Sequence, residues 1–138
     1  MNLDVYTDGG ARGNPGPAGF GLVINSGSDT LFQQSQFLGV KTNNEAEYLG
    51  FIAALNWIRD NITRYPIKSI RFHSDSQLMV RQMQGVYKVK AGNIRPLYNQ
   101  AQDLLSRINL PVQFNHVPRG QNQLADKLAN VAMDSRTP

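Results

Sequence analysis

Thr7–Gly21, TDGGARGNPGPAGFG, sets six glycines and two prolines into fifteen residues directly around and behind Asp8. It lacks the Gly-Lys-Ser/Thr ending of a phosphate-binding P-loop and leads into a strand instead of a helix. A plain turn has no use for six glycines either. Upstream, Leu3–Asp8 (LDVYTD) alternates as a strand does, and downstream Ala18–Asn25 (AGFGLVIN) reads as a second strand. With a third strand at Asp29–Val40 after the Ser26-Gly27-Ser28 turn, the N-terminal part predicts an antiparallel meander.

Beyond the meander the pattern changes period. Thr42-Asn43-Asn44 offers N-cap chemistry before EAEYLGFIAALNWIRDNI, a helix whose apolar residues cover more than one face and which is therefore expected at the centre of the core. Lys68–Asp75 (KSIRFHSD) reads as a fourth strand and Ser76–Gln84 as a short helix. Gly85–Gly92 reads as a loop and Pro96–Ile108 as a helix, with a last strand at Val112–Val117 and a last helix at Asn122–Ser135. Strands first, then strands alternating with helices, predict an α/β fold. Its five-stranded mixed sheet has an antiparallel hairpin side and a parallel side, flanked by about four helices.

The 138 residues suit a single domain spanning 1–138. A hydrophobic fraction of 41% and a charged fraction of 17% indicate a globular chain, not a disordered one. The N-terminus, MNLDVYTDGG, resembles neither a signal peptide nor a membrane span, so the expectation is a soluble, cytoplasmic protein that does not engage a membrane. With no cysteine, any metal must be held by oxygen or imidazole. A net charge of +4 favours a polyanionic partner. No acidic residue occurs between Asp75 and Asp103, whereas Arg81, Lys88, Lys90 and Arg95 do, which makes that segment a candidate phosphate-contacting surface.

Four of the ten acidic residues fall at element junctions. Asp8 and Asp75 close the first and fourth strands; Glu47 lies in the first turn of the central helix and Asp126 early in the last. If the first and fourth strands are parallel neighbours, all four converge beyond the carboxyl ends of the strands, where ligands bind in open α/β sheets. Taken singly, each has an ordinary structural explanation, as a turn residue or as an acid at a helix start. Together they would repel one another unless cations neutralised them. An all-oxygen set suits Mg²⁺ or Mn²⁺, and two such ions about 4 Å apart support phosphodiester hydrolysis.

TDGGARGNPGPAGFG at 7–21, TNNEAEY at 42–48, SDSQLMV at 74–80 and NQLADKLAN at 122–130, in that order and spacing, resemble type 1 ribonuclease H. The resemblance runs from about Tyr6 to Ala132. It implies a ribonuclease H-like fold and cleavage of the RNA strand of RNA/DNA hybrids with two Mg²⁺ ions, Mn²⁺ being a possible substitute, to give 3′-hydroxyl and 5′-phosphate ends. It further implies that Asp8, Glu47, Asp75 and Asp126 bind metal. Gly9, Gly10, Asn14, Asn43, Asn44 and Gln77 would approach the minor groove, where 2′-hydroxyls distinguish RNA, and Thr42 would contact a DNA-strand phosphate. Glu45 receives no ligand role.

Two segments depart from the family pattern. Gln84–Gly92 is too short for the basic protrusion of many bacterial members, so substrate affinity is expected to depend more on Lys88, Lys90 and Arg95 and on the metal site. In HVPRGQNQLAD both His116 and Arg119 stand where the family places a residue that assists product release. His116 closes an apolar strand and Arg119 lies on a loop, free to grip a phosphate, so Arg119 is the preferred candidate. His73 is read as structural. The expected partner is an RNA/DNA hybrid bound by a monomer. Competing functions are a non-catalytic duplex-binding module, which gains nothing from clustered carboxylates, and a transposase or integrase core, which gives no reason for TNNEAEY or the glycine-rich stretch.

Overall fold

The structure, a computed structural model, describes residues 1–136. The chain order is β1 (Asn2–Ala11), β2 (Gly16–Ser26), β3 (Asp29–Lys41), α1 (Asn43–Asn61), β4 (Ser69–Ser74), α2 (Gln77–Met83), α3 (Arg95–Arg107), β5 (Val112–His116) and α4 (Gln123–Ser135), with a single 3₁₀ turn at Arg119–Gln121. The five strands form one mixed sheet in the order β3-β2-β1-β4-β5. β2 pairs antiparallel with β1 and β3, whereas β4 runs parallel to β1 and β5 parallel to β4. The meander and the parallel half are both as the patterning predicts.

The main departure lies in the glycine-rich stretch. Instead of stopping at Asp8, β1 continues to Ala11, and Gly9, Gly10 and Ala11 pair with Phe20, Gly19 and Ala18. Only Arg12–Pro15 form the turn. Glycine breaks strands by weak propensity, but here the missing side chains let two helices approach the sheet. A Cβ on Gly21 would overlap the Ala125 carbonyl oxygen of α4, and one on Gly9 would overlap the Ala46 carbonyl and the Glu47 amide of α1.

Those contacts set the layers. Along β2, Phe20 lies against Gly50 of α1 while its neighbours Gly19 and Gly21 meet α4, so alternation places α1 and α4 on opposite faces of the sheet. The core is built on the α1 face from Leu3 and Val5 of β1, Leu22 and Ile24 of β2, and Phe51, Leu55 and Ile58 of α1. Phe51 packs edge-on to Phe72 of β4 with ring centroids 4.8 Å apart. The buried residues of α1 cover more than one of its faces, as the spread of its apolar residues predicts. Trp57 is half-buried, stacked between Phe32 and Tyr65 at the rim of that core. Among the described residues no helix is long and apolar enough to cross a membrane.

Candidate active site

The parallel register builds the site. Thr7 of β1 pairs with Ser74 of β4, so the residues that follow them, Asp8 in β1 and Asp75 just past β4, lie side by side towards the carboxyl ends of these parallel strands. Glu47 arrives from α1, which starts at a full capping box: the Thr42 hydroxyl accepts from the Glu45 amide at 3.1 Å and the Glu45 carboxylate accepts from the Thr42 amide at 2.9 Å. This is why Glu45 is no ligand candidate: its carboxylate closes the cap. One carboxylate oxygen each from Asp8, Glu47 and Asp75 lie within 4.8 Å of one another.

Glu47 is held at both oxygens. The Gly9 amide donates to one, and the Ser74 hydroxyl donates to the other at 3.2 Å. Ser74 Oγ in turn accepts from the Ser76 amide at 3.1 Å. Asn122, buried just before α4, donates from Nδ2 to the Thr7 carbonyl at 2.8 Å and so fastens the helix beside Asp8. Asp126 lies one turn further on, half-buried, and lines the same cleft as Asp8. Ser74 and Asn122 are positioning residues that sequence reasoning missed; a polar residue on the buried phase of an otherwise apolar strand is the signal that marks Ser74.

Burial and crowding govern the electrostatics. Asp8 and Glu47 are only 8% and 6% exposed. Burial, then the negative charges of Glu47 and Asp75, push the Asp8 carboxyl well above the usual carboxylate range. Burial pushes Glu47 up too, against the lowering effect of the Gly9 amide. The chain has thus brought together carboxylates that cannot all ionise without a compensating cation. An all-oxygen, partly buried donor set of this kind fits a hard divalent ion.

The carboxylates line one cleft of about 510 Å³, along with Gly9, Gly10, Asn43, Asn44 and Arg119. Arg119 reaches over from the 3₁₀ turn, Nε 3.5 Å from Asp75 Oδ2, with its side chain 84% exposed. His116 closes β5 as expected, but it is exposed there and does not line the cleft. Asn14 Oδ1 accepts from the Asn43 amide at 3.0 Å, and Asn43 Oδ1 accepts from the Ala11 amide at 2.8 Å. The two oxygens thus join the β1–β2 turn and the end of β1 to the start of α1. Gln77 is exposed at the start of α2.

Lys88, Lys90 and Arg95 are exposed but outside the cleft, and Arg95 donates to the Val89 carbonyl at 2.8 Å, bracing its own loop. His73 is structural: its Nε2 lies 2.8 Å from Asp4 Oδ1 and its ring stacks on Tyr6.

Residues 6–132 match the family described as reverse transcriptase-like. The bifunctional protein Rv2228c of Mycobacterium tuberculosis is 42% identical over 137 residues, covering 98% of this chain and 36% of that protein. Ribonuclease HI of Halobacterium salinarum is 38% identical over 133 residues, covering 96% of this chain and 64% of that one. The chain therefore spans little more than a third of the mycobacterial relative and under two thirds of the archaeal one. The crystal structure of LC11-RNase H1 in complex with an RNA/DNA hybrid superposes with a TM-score of 0.91 at 40% identity, covering 96% of this chain and 97% of that one.

Proposed function

Since the chain belongs to the type 1 ribonuclease H family, we propose that it is a metal-dependent endoribonuclease that hydrolyses the RNA strand of RNA/DNA hybrids, leaving 3′-hydroxyl and 5′-phosphate ends. The observation that carries this is the trio Asp8, Glu47 and Asp75, three carboxylates within 4.8 Å that burial and mutual repulsion make unsuited to a binding surface for phosphates alone. With Asp126 on the rim, these side chains would hold two divalent ions, Mg²⁺ or in its place Mn²⁺. When bound, such ions supply Lewis-acid stabilisation of the phosphodiester and ease ionisation of water.

The chain's own residues position and discriminate. Hydrolysis to these products requires a water oxygen to add to phosphorus as the bond to the 3′ oxygen breaks. Ser74 and the Gly9 amide fix Glu47 so that the carboxylates keep their places through that change. Gly9, Gly10, Asn14, Asn43, Asn44 and Gln77 face the RNA strand, where 2′-hydroxyls are donors and acceptors that DNA lacks. Thr42 takes a DNA-strand phosphate, and Lys88, Lys90 and Arg95 add longer-range attraction. Arg119, exposed and beside Asp75, draws the new 5′-phosphate away, with His116 as the alternative for that step. Residues 1–138 act as one catalytic domain, as a monomer in the cytoplasm, without a membrane.

The decisive experiment incubates the protein and Mg²⁺ with labelled RNA/DNA, RNA/RNA and DNA/DNA duplexes. Only the RNA strand of the hybrid is expected to be cut, and Asp8→Asn is expected to lower the rate by at least 100-fold without lowering the melting temperature measured in chelator. Undiminished cleavage by Asp8→Asn would sink the assignment.

A further inference from the structure

Among the described residues two cationic side chains line the cleft, and they stand on different sides of it: Arg119 beside Asp75 on the β4–β5 side, and Arg12 on the β1–β2 side. Arg12 opens the turn after β1, its amide donating to the Pro17 carbonyl at 2.9 Å. One guanidinium nitrogen pairs with the Asp134 carboxylate, and the other donates to Asn130 Oδ1 at 3.2 Å. Asn130 is itself anchored, its Nδ2 donating to the Asp126 carbonyl at 3.0 Å. The guanidinium thus hangs on the helix that also carries Asp126.

The geometry points to Arg12 as a substrate-binding residue whose guanidinium leaves Asp134 for a backbone phosphate of the bound hybrid, on the opposite flank of the carboxylates from Arg119. This rests on the functional assignment above and extends it to a residue outside the expected set. Three physical facts support the exchange. The Arg12 and Asp134 side chains are 43% and 63% exposed, so their ion pair is screened and weakly held. A guanidinium fork that fits a carboxylate fits a phosphate equally well. The floor between the two arginines is acidic, so a polyanionic strand needs positive charge at its flanks to cross it. Asn130 keeps hold of the second nitrogen during the exchange and preserves the orientation of the fork.

Binding of a labelled RNA/DNA hybrid is measured against salt concentration in a common Asp8→Asn background. Arg12→Gln is expected to weaken binding several-fold and to lower the slope of log K against log salt by about one. Arg12→Lys should keep the slope but lose part of the affinity, because a point charge replaces a fork. Asp134→Asn should bind as tightly as the background protein or more tightly, since it frees the guanidinium. If Asp134→Asn weakens binding as much as Arg12→Gln, or if Arg12→Gln leaves the slope unchanged, the pair is a structural clasp and the proposal is overturned. Failure of the background protein to bind hybrid at all would bring down the functional assignment itself, a result visible before any change at Arg12. In the cleavage-competent chain, Arg12→Gln should raise KM with little change in kcat.

Discussion

Gly9 and Gly10 are neighbours in sequence and alike in composition, yet they carry different burdens. A Cβ at Gly9 has nowhere to go, because the backbone of α1 at Ala46 and Glu47 already fills the space. At Gly10 the nearest atoms, Asn43 Oδ1 and Met133 Cε, would lie at 3.8 Å, an ordinary contact. Gly9→Ala is therefore expected to cost about 3 kcal/mol of stability through overpacking. Gly10→Ala should stay within about 0.5 kcal/mol of the parent while raising KM for the hybrid. Thermal melts alongside steady-state cleavage separate the two; equal destabilisation by both would make Gly10 structural. Asp8 was legible at this scale because an acid at a strand end before bare backbone is chemically conspicuous. Ser74 was not, because its importance lies in a hydrogen bond to Glu47, twenty-seven positions earlier in the chain.

Among the elements, α1 carries the most. It brings Glu47 to the strand ends, and its first turn is fixed by Thr42 and Glu45 and braced by Asn14. Removing the Thr42 hydroxyl exposes the Glu45 amide and loosens the turn that carries Asn43 and leads to Glu47. Thr42→Ala is expected to cost about 1 kcal/mol in urea unfolding and to raise the divalent-ion concentration needed for half-maximal cleavage. Glu45→Gln should retain most of the stability, since an amide oxygen accepts the same bond. Element identities were legible because local periodicity and capping are short-range. The extents of β1 and β2 were not. Glycine propensity argued for a turn from Gly9 onward, and it lost to the ladder with Phe20 and Gly19 and to the close approach of two helices.

At the scale of the whole molecule, crowded carboxylates make the fold and the proposed metal site two sides of one equilibrium. Folding draws Asp8, Glu47 and Asp75 together from three elements and desolvates them, at a cost that cation binding would offset. A divalent ion at about 100 times its dissociation constant should add about 2.7 kcal/mol, a rise in melting temperature on the order of 10 °C for a domain of this size. Asp8→Asn should melt at or above the parent in chelator and gain much less from Mg²⁺. Calorimetry with and without Mg²⁺ reads both. A chelated Asp8→Asn protein that melts well below the parent would show that the Asp8 charge is not a strain in the folded chain.

The order of strands and helices and the mixed character of the sheet follow from local pattern, since periodicity, turn chemistry and caps act over a few residues. Convergence is a different matter. The pairing of Thr7 with Ser74 sets Asp8 beside Asp75, Gly9 lets Glu47 come within reach of both, and Arg119 rather than His116 faces the cleft. Arg12, silent as a turn residue in TDGGARGNPGPAGFG, acquires a place at the site only when α4 folds back across the sheet to present Asn130 and Asp134. Distances between side chains far apart in sequence are fixed by register and packing, which no local window of the chain encodes.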